Sequence, residues 1–273
     1  MRVARVFPVR TSYTPVDVDA FVGMPYLDTP KYDEVHISCT FTWDKEQCEF
    51  LKKQWQDYAP VVKVGGCAYG SYSGDFISGM YVKKGVTFTT RGCPNNCSFC
   101  LVPKREGKLR ELPIVEGNII QDNNILAASK EHLSKVFKML ETQKDIKFKG
   151  GLETRRITHG IAYELSRLKI TNLWLACDTD GALKDIKKAV EILRRYGFKR
   201  DKLYCYSLVG DDIEKNEMRN REIWNIGCIP FAQLYQPAEK KIEYSNAFKR
   251  FVRAWSKPAI IRTRAKYNWI DWY

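Results

Sequence analysis

From Gly85 onward, strand-like apolar runs alternate with segments long enough to be helices, and this alternation restricts the fold more than any other feature. "GVTFTT" (85–90), "GNIIQDNN" (117–124), "IKFKGG" (146–151), "NLWLACD" (172–178), "KLYCYSLVG" (202–210) and "CIPFAQLY" (228–235) read as six strands. Between them, Ser129 caps a helix whose Leu133, Val136, Phe137 and Leu140 recur at helical spacing. Thr158 opens a second helix carrying Ile161, Leu165 and Leu168. A third buries Leu183, Ile186, Val190 and Leu193 and stops at Gly197. "DDIEKNEMRNREIWNIG" is a polar helix anchored by Ile213, Ile223 and Trp224. Strands joined by helix-length crossovers run parallel, with right-handed connections. Six units in residues 86–236 suit an α/β fold of the partial, six-unit parallel β/α barrel type; a full eight-unit barrel takes about 250 residues.

The flanks have a different texture. Residues 1–85 contain a strand in "YDEVHISCTF" (32–41), then a helix start at Asp44 and Gln47 that precedes Cys48, Leu51 and Trp55. "PVVKVGG" (60–66) follows as a buried strand ending in a glycine turn, so this segment is expected to be a small, incomplete Rossmann-like α/β unit. Residues 237–273 form a basic, aromatic extension. In "SNAFKRFVRAW", Phe248, Phe251 and Trp255 share one helical face, which is expected to close the open edge of the barrel. Interleaved cations and rings can also track a phosphate backbone and stack bases, a role left open to Trp269–Tyr273.

Three of the nine cysteines crowd into eight residues: Cys93, Cys97 and Cys100, spaced C-x3-C-x2-C. They follow the first strand directly, at the carboxyl-end rim where parallel α/β sheets bind their ligands. "QDNN", "GGLE", "CDTD" and "LVGDD" fall on the same rim. Three thiolates can hold three irons of a [4Fe–4S] cluster and leave the fourth iron open, whereas electron-transfer clusters normally take four cysteines. The competing arrangement is a structural zinc, its fourth ligand drawn from Cys67, His159 or another cysteine. Cys177, Cys205 and Cys228 lie inside strands and read as small buried hydrophobes.

An odd cysteine count in a 273-residue chain is no disulfide framework. The amino-terminal residues have no apolar signal core, and no apolar run approaches about 18 residues. A cytoplasmic protein that does not enter membranes is therefore expected. A formal net charge of +13 favours anionic partners, nucleic acid among them.

"GCPNNCSFC" after a strand resembles the signature of the radical S-adenosylmethionine (SAM) superfamily. The resemblance covers residues 86–235. It implies that Cys93, Cys97 and Cys100 hold the cluster, that SAM binds the open iron, and that its cleavage yields methionine and a 5′-deoxyadenosyl radical. Phe99 would lie by the adenine. A Gly-Gly-Glu segment of the superfamily, at the end of the second strand, meets the methionine amino group; here "QDNN" holds that place, while "GGLE" ends the third strand. Asp122, Asn124 and Glu153 therefore share the expectation. Asp178, Asp180, Ser207 and Asp211 are candidates for the ribose and carboxylate. "VPKREGKLRELP", with Lys104, Arg105, Lys108 and Arg110, is similar to the methylthiotransferase-like and cobalamin-type branches. The cobalt-ligand motif D-x-H-x-x-G is absent, His36 lacking its glycine pattern, so cobalamin is not expected. No G-K-[ST] follows "VGGCAYGSYSG", which is thus no phosphate-binding P-loop. The resemblance also implies an electron donor such as flavodoxin or ferredoxin and a macromolecular substrate, RNA or DNA ahead of peptide. The alternatives from other classes are a zinc- or iron–sulfur-bearing nucleic-acid-binding protein without catalysis, and an accessory iron–sulfur protein that has lost turnover.

Overall fold

Alternating burial along the amino-terminal strands assembles a sheet before the six-strand region begins. The computed structural model describes residues 1–70, 74–210, 212–237 and 241–269. Strands β1 (Val3–Phe7), β2 (Ala20–Val22) and β3 (Glu34–Ser38), helix α1 (Lys45–Gln54) and strand β4 (Val61–Gly65) form a unit with its own core. The sheet order is β2-β1-β3-β4, and every pairing is parallel. Its core gathers Val6, Val35 and Ile37 from the strands against Cys48 and Leu51 of α1 and Trp55 just after it. β3, α1 and β4 form the expected strand–helix–strand with parallel strands, and the sheet gains two strands that were not anticipated. Arg5 of β1 and Arg2 just before it interrupt the apolar run; they pair with aspartates of the loop before β2, Arg2 with Asp19 and Arg5 with Asp17.

The second sheet follows chain order. β5 (Val86–Thr87), β6 (Thr90–Arg91), α2 (Val102–Glu106), β7 (Arg110–Glu111) and β8 (Ile119–Ile120) lead into α3 (Lys130–Glu141) and β9 (Ile146–Leu152). Then come α4 (His159–Ser166), β10 (Ile170–Ala176), α5 (Leu183–Arg195), β11 (Leu203–Val209), α6 (Ile213–Ile226) and β12 (Ile229–Leu234). The six-stranded sheet is ordered β12-β11-β10-β9-β8-β5, parallel throughout. Ser129, Thr158 and Asp212 accept from the first-turn amides of α3, α4 and α6, as their residue types dictate. The large core lies between this sheet and α3–α6, and Cys177, Cys205 and Cys228 are buried in it.

Two expectations change here. The single strand of residues 85–90 is split: β5 pairs with β8 for two residues, and the chain then leaves the sheet to pair, as β6, antiparallel with β7. The cause is Asp122, whose carboxylate accepts from the Thr89 amide at 2.6 Å and the Thr89 hydroxyl at 2.5 Å. The second strand likewise shrinks to Ile119–Ile120 within residues 117–124.

The carboxyl-terminal extension packs as its spacing predicts. Phe251 and Trp255 of α7 (Asn246–Ser256) are fully buried against Val209, Ile229 and Ala232, with Ile261 of α8 (Pro258–Lys266) beside them. Such side chains contribute on the order of 2 kcal/mol each by leaving water. Trp269 stacks on Trp255 with ring centroids 5.1 Å apart, so it is engaged in packing; residues 270–273 lie outside the described residues. Among the described residues, no helix is long and apolar enough to cross a membrane.

Polar groups lock this extension to the sheet. Glu217 of α6 accepts from Trp255 Nε1 and, at 2.8 Å, from Arg264 of α8, whose side chain is fully buried. Removing one partner of a buried ion pair costs about 3–5 kcal/mol. Glu217→Ala is therefore expected to lower the unfolding free energy by about 3 kcal/mol in urea titrations, and Glu217→Gln by less.

Candidate functional site

The cysteine loop is held at its base like a noose. Gly92 has φ +83°, and a Cβ there would lie 2.2 Å from the Lys108 carbonyl oxygen, so the chain passes through a space that only glycine fits. The Gly92 amide donates to Asn123 Oδ1 (3.0 Å) and the Cys93 amide to Gly107 O (3.2 Å). Arg91, just before the loop, forms a buried ion pair with Glu106, just after it. Cys93 and Cys100 are half-buried and Cys97 is exposed.

Electrostatics show that the three thiols lie near one another. Burial pushes Cys97 up, and the neighbouring Cys100 and Cys93 push it further. Burial likewise raises Cys100, reinforced by Cys93 and Asp178 against the opposing Val102 amide. Cys97 and Cys100 therefore resist ionisation until a nearby cation supplies compensating charge. One tetrahedral zinc with Zn–S bonds of about 2.3 Å needs sulfurs about 3.8 Å apart. Among the described residues, the loop sulfurs do not meet even a 4.8 Å limit; the three ligand groups that do are Glu34, His36 and Asp75. There the ammonium of Lys63 already sits 2.6 Å from Glu34 and 3.0 Å from Asp75. Cys67 donates to the Thr40 carbonyl, and the ring of His159 packs against Tyr196.

Successive strand ends bring polar groups to the loop. Asn124, after β8, donates through Nδ2 to Cys93 Sγ (3.4 Å) and to Glu153 Oε2 (2.8 Å), while its Oδ1 is buried without a partner. Such an orphaned acceptor beside three thiols suits a bound group that carries a donor. The Asn95 amide makes a second contact with Cys93 Sγ, also at 3.4 Å. Burial works to raise Glu153, but hydrogen bonds from Asn124, Arg156 and Asn95 outweigh it and hold the carboxyl below its ordinary range. Glu153 reaches this place because β9 approaches the chain after β8 at Gly150, where a Cβ would lie 1.8 Å from the Asp122 carbonyl.

Asp178, after β10, is close enough to Cys97 and Cys100 to raise both. Burial lifts its own carboxyl to about 6 against the Leu208 amide, which donates to it at 3.1 Å, and the Arg219 charge. Phe99 is half-buried on the loop.

The remaining candidates are placed elsewhere. Asp122 lies beneath the loop with its carboxylate engaged by Thr89. Asp180 and Ser207 join a second cluster around Arg219 of α6, which donates to Asp180 (3.1 Å) and lies 3.3 Å from Ser207 Oγ. Asp211 lies outside the described residues. Arg219, Arg91, Glu106 and Asn95 were not anticipated. For Arg219 a signal existed: a helix packed on a sheet without an apolar stripe must bury polar side chains, and α6 buries Asn216, Glu217, Arg219 and Asn220. Also unforeseen is Trp174, stacked between Tyr204 and Tyr206, with Lys149 Nζ 4.1 Å from its ring centroid.

The shift of Asp178 has a stability consequence. Its folded value, about 6, exceeds an unfolded value of about 3.9. The folded state therefore holds this proton more tightly, and the resulting stabilisation is complete below pH ~4 and lost as pH rises through about 6. Thermal melts of the metal-free protein between pH 4 and 7.5 are expected to favour Asp178→Asn over wild type increasingly as pH rises. No protein-family model matches the chain, and no curated protein sequence matches it.

Proposed function

We propose that the protein is a radical SAM enzyme built on a partial, six-unit parallel β/α barrel. The observation that carries this reading is the convergence of Cys93, Cys97 and Cys100, on the loop after β6, with Asn124, Glu153 and Asp178 at the carboxyl ends of the parallel strands β8, β9 and β10. The three cysteines would hold a [4Fe–4S] cluster. Bound there, such a cluster would supply an open iron site for SAM and the reducing electron for cleavage of its sulfonium.

The side chains divide the remaining work. Two N–H donors, from Asn95 and Asn124, point at Cys93 Sγ and would orient it as a ligand. Glu153 is held ionised and offers a carboxylate to an ammonium such as that of methionine. Asn124 Oδ1 is an acceptor in wait for the same group. Asp178 and Phe99 suit the ribose and adenine. Asp122 serves the frame: it anchors the strand that delivers the loop. Arg219 does the same for Asp180 and Ser207. The net charge of +13 supports an anionic substrate, and an external donor such as flavodoxin or ferredoxin would supply the electron.

Anaerobic reconstitution with iron and sulfide, followed by dithionite and SAM, tests the reading. The expected outcome is a brown protein with about four irons per chain that forms 5′-deoxyadenosine. Cys97→Ala should lose the cluster and all product. Asn124→Ala should keep the cluster and form product at least tenfold more slowly, the scale of a lost outer-shell contact. A colourless protein carrying one zinc, or a loaded cluster that leaves SAM intact, rejects the proposal.

A further inference from the structure

The two parallel sheets turn their carboxyl ends toward one shared cavity of about 450 Å³. From the amino-terminal sheet come the segment after β1 (Phe7 to Thr14), the segment after β3 (Ser38 to Asp44) and Gly66 with Cys67 after β4. From the other sheet come Gln121, Asn123 and Gly150, joined by Arg91 of β6 and Arg105 of α2. The amino-terminal chain runs from β1 to β2 on one side and from β3 to β4 on the other. The crevice between β1 and β3 is thus a topological switch point, where open α/β sheets place their ligands.

The lining is chemically uneven. Phe7, Tyr13, Phe41, Phe76, Tyr81 and Phe88 supply aromatic walls, which suit a flat ring. Asp44 is 9% exposed, and its Oδ2 has no hydrogen-bond partner; a buried acceptor of this kind calls for an N–H or O–H from a ligand. On the barrel side, Arg105 keeps a buried Nε without a partner, and its nearest carboxylate, that of Glu106, is 3.7 Å away and already paired with Arg91. Arg105 is also close enough to act on Cys100. The volume lies within the range of small-molecule sites, about 300–1,000 Å³, and is too small for a nucleic-acid strand.

We propose that this cavity binds a nucleoside 5′-phosphate, its base between the aromatic walls, an amino or hydroxyl group on Asp44 and its phosphate on Arg105 beside the cysteine loop. That such a ligand is the substrate rests on the radical SAM reading; that it binds does not.

Calorimetric titration of the full chain, metal-free and cluster-loaded, tests this with AMP, GMP, CMP and UMP, the four nucleosides, inorganic phosphate and SAM. At least one monophosphate is expected to bind once per chain, about tenfold or more tightly than its nucleoside, the scale of one charged hydrogen bond. Arg105→Gln should erase that difference, and Asp44→Asn should weaken nucleotide and nucleoside alike. Thr40→Trp, at the exposed mouth of the cavity, should block binding while circular dichroism and melting remain those of wild type. The proposal is overturned if no mononucleotide binds, if only oligonucleotides bind, if Thr40→Trp leaves binding unchanged, or if SAM displaces the nucleotide one for one. Binding by the metal-free chain, with no SAM cleavage after loading, would sustain this site and sink only the catalytic reading.

Discussion

A carboxylate buried under the cysteine loop organises everything above it. Asp122 is 2% exposed, and burial drives its carboxyl upward against the pull of Thr89 and Thr90. Leaving such a group in a dry site is costly unless it is fully hydrogen-bonded, and Thr89 answers with both its amide and its hydroxyl. The result is a crosslink between the ends of two neighbouring strands. It lifts the chain off the sheet at Thr89, sends it into the β6–β7 ribbon, and presents Gly92 and the thiols over the rim. The same residue's carbonyl sets how near β9 can come, and Gly150 makes the closest approach sterically feasible. Loop and strand ends are thus positioned by one buried acid.

Much of this was legible in the residues. The strand–helix alternation after Gly85 is written in hydrophobic periodicity, and parallel order follows from crossover length alone. The thiol triad was plain from spacing. Asn124 and Glu153 could be nominated only as alternatives, because a glycine-driven close approach between β8 and β9 cannot be seen one strand at a time; in space they hydrogen-bond to each other. Asp122, nominated beside them, shows the opposite limit. Two acids or amides two positions apart look equivalent in a loop, yet one points up to the thiols and the other down into the frame.

The amino-terminal sheet was half visible for an electrostatic reason. In β1 and just before it, apolar positions alternate with arginines whose partners lie in a loop 12 and 17 residues away in sequence, so the run looks like a solvated segment until the pairing is known. Arg219 was only half legible for a related cause: the missing apolar stripe of α6 announces buried polar side chains, but its partners come from two different strand ends, so no local pattern says which group they hold.

Glu217 and Arg219 stand two positions apart on one helix and serve different neighbours. The first grips Trp255 and Arg264 of the terminal helices, while the second steadies Asp180 and Ser207 on the rim. The helix is therefore a lever with a hand at each face: a force that pried the terminal helices loose would be felt at the rim through a rigid backbone. Shortening the chain from its far end would disturb the mouth of the sheet without touching a single residue there.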